Sequence, residues 1–194
     1  DFQSLNVLCA MGLAIACGMV PGDAVAAAGQ LRGVRGRMEL AARRANGARI
    51  YVDYSHTPDS LRHALRALRP HTRGRLGVVF GCGGDRDPGK RPQMAREAGG
   101  NSDFAIVTDD NPRSEDPATI RRAALAGWPA AQDIGDRAAA IRAGVRALDA
   151  DDVLLVAGKG HEQGQTVGAV VRPFDDVDEV RKAVAEIEGG DHGQ

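Results

Sequence analysis

The chain has 194 residues, 43% of them hydrophobic, and its 25 Lys and Arg nearly balance 26 Asp and Glu, for a formal net charge of -1. That is the profile of a globular protein with enough chain for one well-packed core. The basic residues are scattered, without a sustained stripe or interleaved aromatics, which speaks against a nucleic-acid partner; three cysteines with no CxxC pair give neither a disulfide framework nor a zinc site.

The most apolar stretch, Leu5 to Val20, is too short to cross a bilayer and carries Asn6 and two glycines, so it reads as a buried helix and no membrane partner is expected. Leu8, Gly12, Ile15 and Met19 recur at helical spacing. Cys9 and Cys17, about two turns apart, are expected to pack in a core. No basic segment precedes the stretch, so a secretory signal is not expected and the cytoplasm is the default location. After Pro21-Gly22-Asp23 an Ala-rich helix runs to about Leu31, and Gly33-Val34-Arg35-Gly36-Arg37 then breaks the pattern.

Beyond Met38-Glu39-Leu40 the text changes to short apolar runs separated by helical segments, the mark of an α/β domain with a largely parallel sheet, and a boundary is expected near residue 42. Four strands are predicted: Arg49 to Asp53, Leu76 to Phe80, Phe104 to Thr108 and Val153 to Ala157. Each is almost continuously apolar, as strands covered by helices on both faces are. Amphipathic helices are predicted at Ser60 to Leu68, Pro117 to Ala126, Arg137 to Leu148 and Val177 to Ile187. Met94 to Asp103 should be the helix crossing from the second strand to the third, yet Gly99-Gly100-Asn101-Ser102 is expected to interrupt it. Gln165 to Val167 and Val170 to Arg172, around Gly168-Ala169, read as a closing hairpin, and Gly189 to Gln194 as a disordered tail.

Each predicted strand runs directly into a polar cluster. These are Asp53-Tyr54-Ser55-His56-Thr57-Pro58, Gly81-Cys82-Gly83-Gly84-Asp85-Arg86-Asp87, Asp109-Asp110-Asn111-Pro112-Arg113 and Gly158-Lys159-Gly160-His161-Glu162. Singly, each has a plain structural explanation: Asp53 stops a strand, His56 and Thr57 cap a helix, Gly81 to Gly84 make a tight turn, and Asp110-Asn111-Pro112 is an ordinary turn. Lys159 with Glu162 reads as a solvated surface pair of little energy. Together they carry more weight, because open α/β sheets bind ligands outside the carboxyl ends of their strands.

Gly84 to Lys90 satisfies the G-x-x-x-x-G-K part of a phosphate-binding loop, but Arg91 stands where a Mg²⁺-binding hydroxyl is needed, and Asp85 and Asp87 would repel phosphate. The charges suit a zwitterion instead. Arg86 and Arg113 offer planar forks to carboxylates, while Asp110 and Glu162 can hold an ammonium group. An amino acid is the ligand class this suggests, and the reaction stays open on these grounds alone.

The run Asp53 to Leu61, the run Gly81 to Pro92, Thr108 to Arg113 and Gly158 to Glu162, taken in order, resemble the Mur ligase family in its meso-diaminopimelate-adding branch. The likeness extends over essentially the whole chain; Gly36-Arg37-Met38-Glu39 and the helix with Asn6 resemble the end of that family's central ATPase domain. It implies that residues 1–42 end the central domain and residues 43–194 form the Rossmann-like C-terminal domain, a largely parallel sheet with helices on both faces. It also implies the reaction: ATP, with Mg²⁺, phosphorylates the carboxylate of a UDP-N-acetylmuramoyl dipeptide, and the amine of meso-diaminopimelate displaces phosphate to form an amide.

By the same resemblance Asp110-Asn111-Pro112-Arg113 matches the diaminopimelate recognition motif, with Arg113 on the distal carboxylate that lysine lacks, and Arg86, Gly158 and Glu162 match further contacts to that amino acid. Asn6 resembles a residue near adenine, Arg37 one near the phosphates and Asp53 the ribose-binding acid, with His56 on the nucleotide side. Ser55 departs from the usual Ala. The family's sugar domain and phosphate loop have no counterpart here, so no catalytic residue or metal ligand is assigned and the chain alone is expected to be inactive. Two other readings are a lysine-adding sister enzyme, which Arg113 disfavours, and a non-catalytic Rossmann-like module that binds an amino acid or nucleotide.

Overall fold

A computed structural model describes residues 2–190, and packing divides the chain into two compact units, Asp1–Gly33 and Val34–Gln194. The smaller unit is a pair of helices, α1 (Phe2–Ala16) and α2 (Pro21–Ala28). α1 is not the buried helix that its apolarity suggests: Leu5, Leu8 and Leu13 are 60–69% exposed, and Cys9 and Cys17 are exposed rather than packed in a core. Among the described residues no helix is long and apolar enough to cross a membrane.

The larger unit is built on a six-stranded sheet. In chain order its elements are β1 (Glu39–Arg43), β2 (Arg49–Asp53), α3 (Pro58–Leu68), β3 (Leu76–Cys82), α4 (Lys90–Asn101), β4 (Phe104–Asp109), α5 (Pro117–Leu125), β5 (Gln132–Asp133), α6 (Arg137–Arg146), β6 (Val153–Ala157), the hairpin β7 (Gly164–Val167) with β8 (Val170–Pro173), and α7 (Asp176–Gly190). The strand order is β1-β2-β6-β3-β4-β5, with β1 antiparallel to β2 and every other neighbouring pair parallel. A boundary at residue 42 falls inside β1: pairing with β2 draws residues 34–42 into the larger unit. The expected tail is α7 as far as Gly190, and residues 191–194 lie outside the described residues.

Strand periodicity sorts the apolar side chains into two cores, one per sheet face. Leu76, Val78 and Phe80 of β3 join Leu155 of β6 under α3, α4 and α5, which contribute Leu61, Leu65, Met94 and Ile120. Val79, Ile106, Leu154 and Val156 point the other way, against Ile141 and Val145 of α6 and Val177 and Val180 of α7. Side-chain caps fix where the helices start. Thr57 and Ser60 form a reciprocal capping box at α3, and Asp116 and Asp136 accept the free N–H groups at the starts of α5 and α6.

α4 corrects an expectation. It continues unbroken through Gly99 and Gly100 to Asn101, because Gly99 lies against the face of Trp128, where a Cβ would come within 2.7 Å of the indole. The missing side chain permits helix and ring to meet, and that contact outweighs the low helix propensity of glycine.

Candidate functional site

The parallel register aligns the ends of the strands. Asp53 sits beside Ala157, Phe80 beside the same Ala157, and Cys82 beside Asp109, so the four polar clusters following β2, β6, β3 and β4 emerge at one edge of the sheet.

On one side of this edge the loop after β4 is held from several directions. Asn111 donates from Nδ2 to Glu162 Oε2 at 3.0 Å, and its Oδ1 accepts from Lys159 Nζ at 2.9 Å and from the Thr166 N–H at 2.9 Å. Arg113 adopts a left-handed conformation, φ 51°, which is costly for a residue with a side chain. The β7 strand stabilises it, since the Arg113 N–H donates to Thr166 O (3.1 Å) and Gly168 N–H donates to Arg113 O (2.7 Å). Gln165 Nε2 adds a bond to Asp110 O at 2.8 Å. The hairpin that reads as a simple closure is thus a clamp on the 110–113 loop.

The loop after β3 packs on the same element. Gly84 N–H donates to Asn111 O at 2.9 Å, and Gly84 lies so close to the buried Pro112 that a Cβ would overlap its carbonyl. Arg113 Nη1 donates to Gly84 O (2.8 Å) and more weakly to Asn111 O (3.4 Å), which aims the half-buried guanidinium and leaves its other N–H groups without a protein partner among the described residues. Arg86 is exposed, and among the described residues its side chain hydrogen-bonds only the carbonyl of Asp85, at 3.1 Å. Asp85, at φ 53°, is tied by its carboxylate to Ser114 and by its N–H to Glu115, and the Glu115 carboxylate is gripped by the buried Arg91. Those donors hold the Asp85 and Glu115 carboxyls below their ordinary values. Lys90, the lysine of the apparent phosphate loop, donates instead to His56 O at 2.9 Å.

Lys159 is the residue whose environment the sequence misrepresents. It is fully buried, not a surface partner of Glu162. Its Nζ meets Asn111 Oδ1, Gly164 O at 2.8 Å and Asp110 Oδ1 at 3.2 Å, with Glu162 Oε2 farther off at 3.8 Å. The Asp110 approach is an ion pair lying off good hydrogen-bond geometry, for Asp110 Oδ1 has no hydrogen-bond donor. Burial pulls the ammonium below the ordinary lysine value, with the Arg137 charge acting in the same direction and Asp110 and Glu162 opposing. Deeper still, Arg137 and Asp176 form a fully buried bidentate pair, both bonds 2.7 Å, and Arg137 also donates to Ala157 O at 3.0 Å. Gly158, φ 122°, passes directly over these groups: a Cβ would stand 3.3 Å from Asp110 Oδ2.

The other side of the edge gathers Arg37, Asp53 and His56. Asp53 accepts from the Met38 N–H (2.8 Å), the Ser55 N–H (2.9 Å) and the Ser55 hydroxyl, so the departure from Ala adds a tie to this carboxylate. Arg37 lies over the Tyr54 ring, 4.4 Å from its centroid, and Tyr54 is flanked by His56 and His161. Tyr54 and His161 lie in the polar clusters read at the strand ends, but neither was given a role of its own there. Asn6 is exposed on α1, in the separate smaller unit. Among the described residues no three His, Cys, Asp or Glu side chains are grouped to hold a metal ion.

Comparison with known proteins matches residues 36–160 to the profile described as Mur ligase, glutamate ligase domain. The chain is 56% identical over 186 residues to UDP-N-acetylmuramoyl-L-alanyl-D-glutamate–2,6-diaminopimelate ligase of Chelativorans sp. strain BNC1, covering 96% of this chain and 38% of that protein. The same-named ligase of Agrobacterium fabrum is 54% identical over 189 residues, 97% of this chain and 39% of that one. A solved structure of a ligase with this name superposes with a TM-score of 0.77 at 38% identity, over 97% of this chain and 39% of that chain. The UDP-N-acetylmuramate-alanine ligase structure from Thermotoga maritima, 18% identical with a TM-score of 0.67 over 97% of this chain and 38% of that one, shares the fold. The chain thus spans about 38% of the length of the curated relatives it matches.

Proposed function

Because this chain belongs to the Mur ligase family, we propose that it is the amino-acid-binding part of an ATP-dependent ligase that adds meso-diaminopimelate to UDP-N-acetylmuramoyl-L-alanyl-D-glutamate. The observation that carries the reading is the cluster of Arg113, Asn111 and Glu162, in which a guanidinium with free N–H groups and a carboxylate share one hydrogen-bonded framework. A zwitterion with a second carboxylate complements it. The names of the relatives supply the rest: they are 2,6-diaminopimelate ligases.

In this reading the chain positions one reactant. Arg113 takes the distal carboxylate as a fork, Arg86 adds a second cation, and Glu162 with Asp110 offsets the ammonium that remains charged. Asn111, Pro112 and Gly158 shape the cleft. The other amine then attacks an acyl phosphate formed from the dipeptide carboxylate by ATP, and phosphate leaves as the amide forms. Holding the amine in line can supply a large part of the rate, because it converts an encounter between two bound reactants into a local step. Arg37, Asp53 and His56 suit the nucleotide, with the guanidinium for phosphate and the carboxylate for a ribose hydroxyl; for Asn6 the adenine role rests on the resemblance alone. Mg²⁺, when bound, would neutralise the ATP phosphates, and among the described residues no three His, Cys, Asp or Glu side chains are grouped to hold it.

The test is ligation by the full-length protein with ATP, the UDP-linked dipeptide, and diaminopimelate and lysine offered side by side. Diaminopimelate should be used at least about a hundredfold in preference, since lysine leaves the Arg113 guanidinium unpaired. Preferential use of lysine would favour the sister enzyme, and no ligation of either would favour a binding module.

A further inference from the structure

Behind the amino-acid cluster lies the buried Lys159 ammonium, within ion-pair distance of Asp110 (3.2 Å) and Glu162 (3.8 Å). An asparagine amide can be placed either way round, and only one orientation turns Nδ2 toward Glu162. Two donors impose that orientation on Asn111 by occupying its Oδ1: the Lys159 ammonium at 2.9 Å and the Thr166 N–H at 2.9 Å. The ammonium has three N–H bonds and three oxygens around it, on Asn111, on Gly164 at the start of β7, and on Asp110. These belong to the recognition loop after β4 and to the hairpin that clamps that loop. Lys159 itself sits three residues before Glu162, whose N–H donates back to Lys159 O at 3.0 Å.

We propose that Lys159 is a positioning residue for the amino-acid site, its buried ammonium fixing the Asn111 amide so that the recognition loop, Glu162 and the β7–β8 hairpin hold one geometry. This rests on the ligase reading for its functional consequence but not for the tie itself. A lysine kept in a fully buried position, where its charge is disfavoured by lost hydration, is retained at a cost that a neutral apolar residue would avoid. The ammonium supplies what an apolar residue cannot, hydrogen bonds to two separate segments, at Asn111 and Gly164, and a charge beside Asp110. With the charge removed, Asn111 Oδ1 keeps only Thr166, Asp110 stays buried without its cation, and Glu162 loses the orientation of its amide partner.

The experiment replaces Lys159 in the full-length protein by Met, which matches its length without donors, and by Gln, which keeps an N–H donor and serves if Met prevents folding. Crystal structures of the variants read the tie without reference to any reaction. The Asn111 amide should turn or the Asn111–Glu162 bond should open, and an unchanged 3.0 Å contact overturns the proposal. Kinetics then read the consequence: the Michaelis constant for diaminopimelate should rise about tenfold or more in Lys159→Met and less in Lys159→Gln, with that for ATP unchanged within about twofold. Combining Lys159→Met with Asn111→Ala should add little to the larger single effect, because the lysine acts through the amide. Additive effects, or equal rises for ATP and diaminopimelate, would show general damage and sink the idea. If the unsubstituted protein ligates no diaminopimelate, the functional reading falls instead, and the crystal structures still decide the tie.

Discussion

Replacing Asp176 by Ala should destabilise the larger unit severely, for reasons that can be followed atom by atom. Asp176 and Arg137 are both fully buried, and the carboxylate accepts from Nε and Nη2 at 2.7 Å each. The guanidinium cannot shed its proton, and its Nη1 already lacks a partner. Removing the acid therefore leaves a buried charge hydrogen-bonded only to Ala157 O among the described residues, with the Asp110 and Glu162 carboxylates acting from farther off. Breaking such a pair costs about 3–5 kcal/mol, a large part of the roughly 5–15 kcal/mol that holds an ordinary domain folded. At about 2–4 °C per kcal/mol for a unit of this size, the midpoint should fall by about 6–20 °C. The assay is thermal and urea unfolding followed by the fluorescence of Trp128, the one tryptophan, which packs on α4 within the larger unit. Arg137→Met with Asp176→Leu should recover all but about 1–2 kcal/mol, since both charges go and only the Ala157 carbonyl is left short of a donor. A loss under about 1 kcal/mol in Asp176→Ala, or a double variant worse than the single one, would refute the argument.

Three further outcomes follow from other parts of the unit. Cys82 is buried and its thiol is pushed up to about 12 by burial, so in the folded chain a thiol reagent near neutral pH should titrate Cys9 and Cys17 quickly and Cys82 only on unfolding; three fast thiols would contradict this. Asp85 and Glu115 have folded values below their unfolded ones, so their contribution is present above the ordinary carboxylate range near pH 4 and is lost as pH falls through the depressed values. The fall in melting temperature on acidification should accordingly be shallower in Glu115→Gln, and parallel curves would show that the Arg91 contact adds nothing. Gly99→Ala should lose about 1–3 kcal/mol through overlap with Trp128 despite its better helix propensity, whereas Gly100→Ala, which meets nothing within 4 Å, should be neutral or stabilising.

The sheet was legible because its strands are buried on both faces: β2 and β6 match their predicted limits, and β3 and β4 extend them by one or two residues. β1 and the two-residue β5 were not, being an edge strand with a mixed pattern and a segment too short to show any period. The unbroken α4 depended on Trp128, which lies 29 positions from Gly99 in the chain and leaves no local trace. That the strand ends meet at one edge followed from the parallel reading. The burial of Lys159 did not, because a lysine in a Gly-rich loop looks solvated until the hairpin and the 110–113 loop close over it. In α1 the apolar pattern was read correctly as helix, and its leucines stand exposed in this chain because periodicity reports which face is apolar and not what covers it.

Kinetics of Arg113→Ala and Arg113→Lys in the full-length protein test most directly the claim that this edge recognises a diaminopimelate carboxylate. Arg113 spends Nη1 on Gly84 O and its other N–H groups have no protein partner among the described residues, so if they take the ligand's carboxylate as proposed, losing the fork from a partly desolvated cleft should cost a few kcal/mol, about a hundredfold in kcat/KM for diaminopimelate. The lysine variant should recover only part of this, because a point charge replaces a bidentate fork. The Michaelis constant for ATP should stay within about twofold in both, the nucleotide contacts being assigned to other residues. An alanine variant with the same turnover and Michaelis constant for diaminopimelate as the unsubstituted protein would mean that the amino acid is recognised elsewhere.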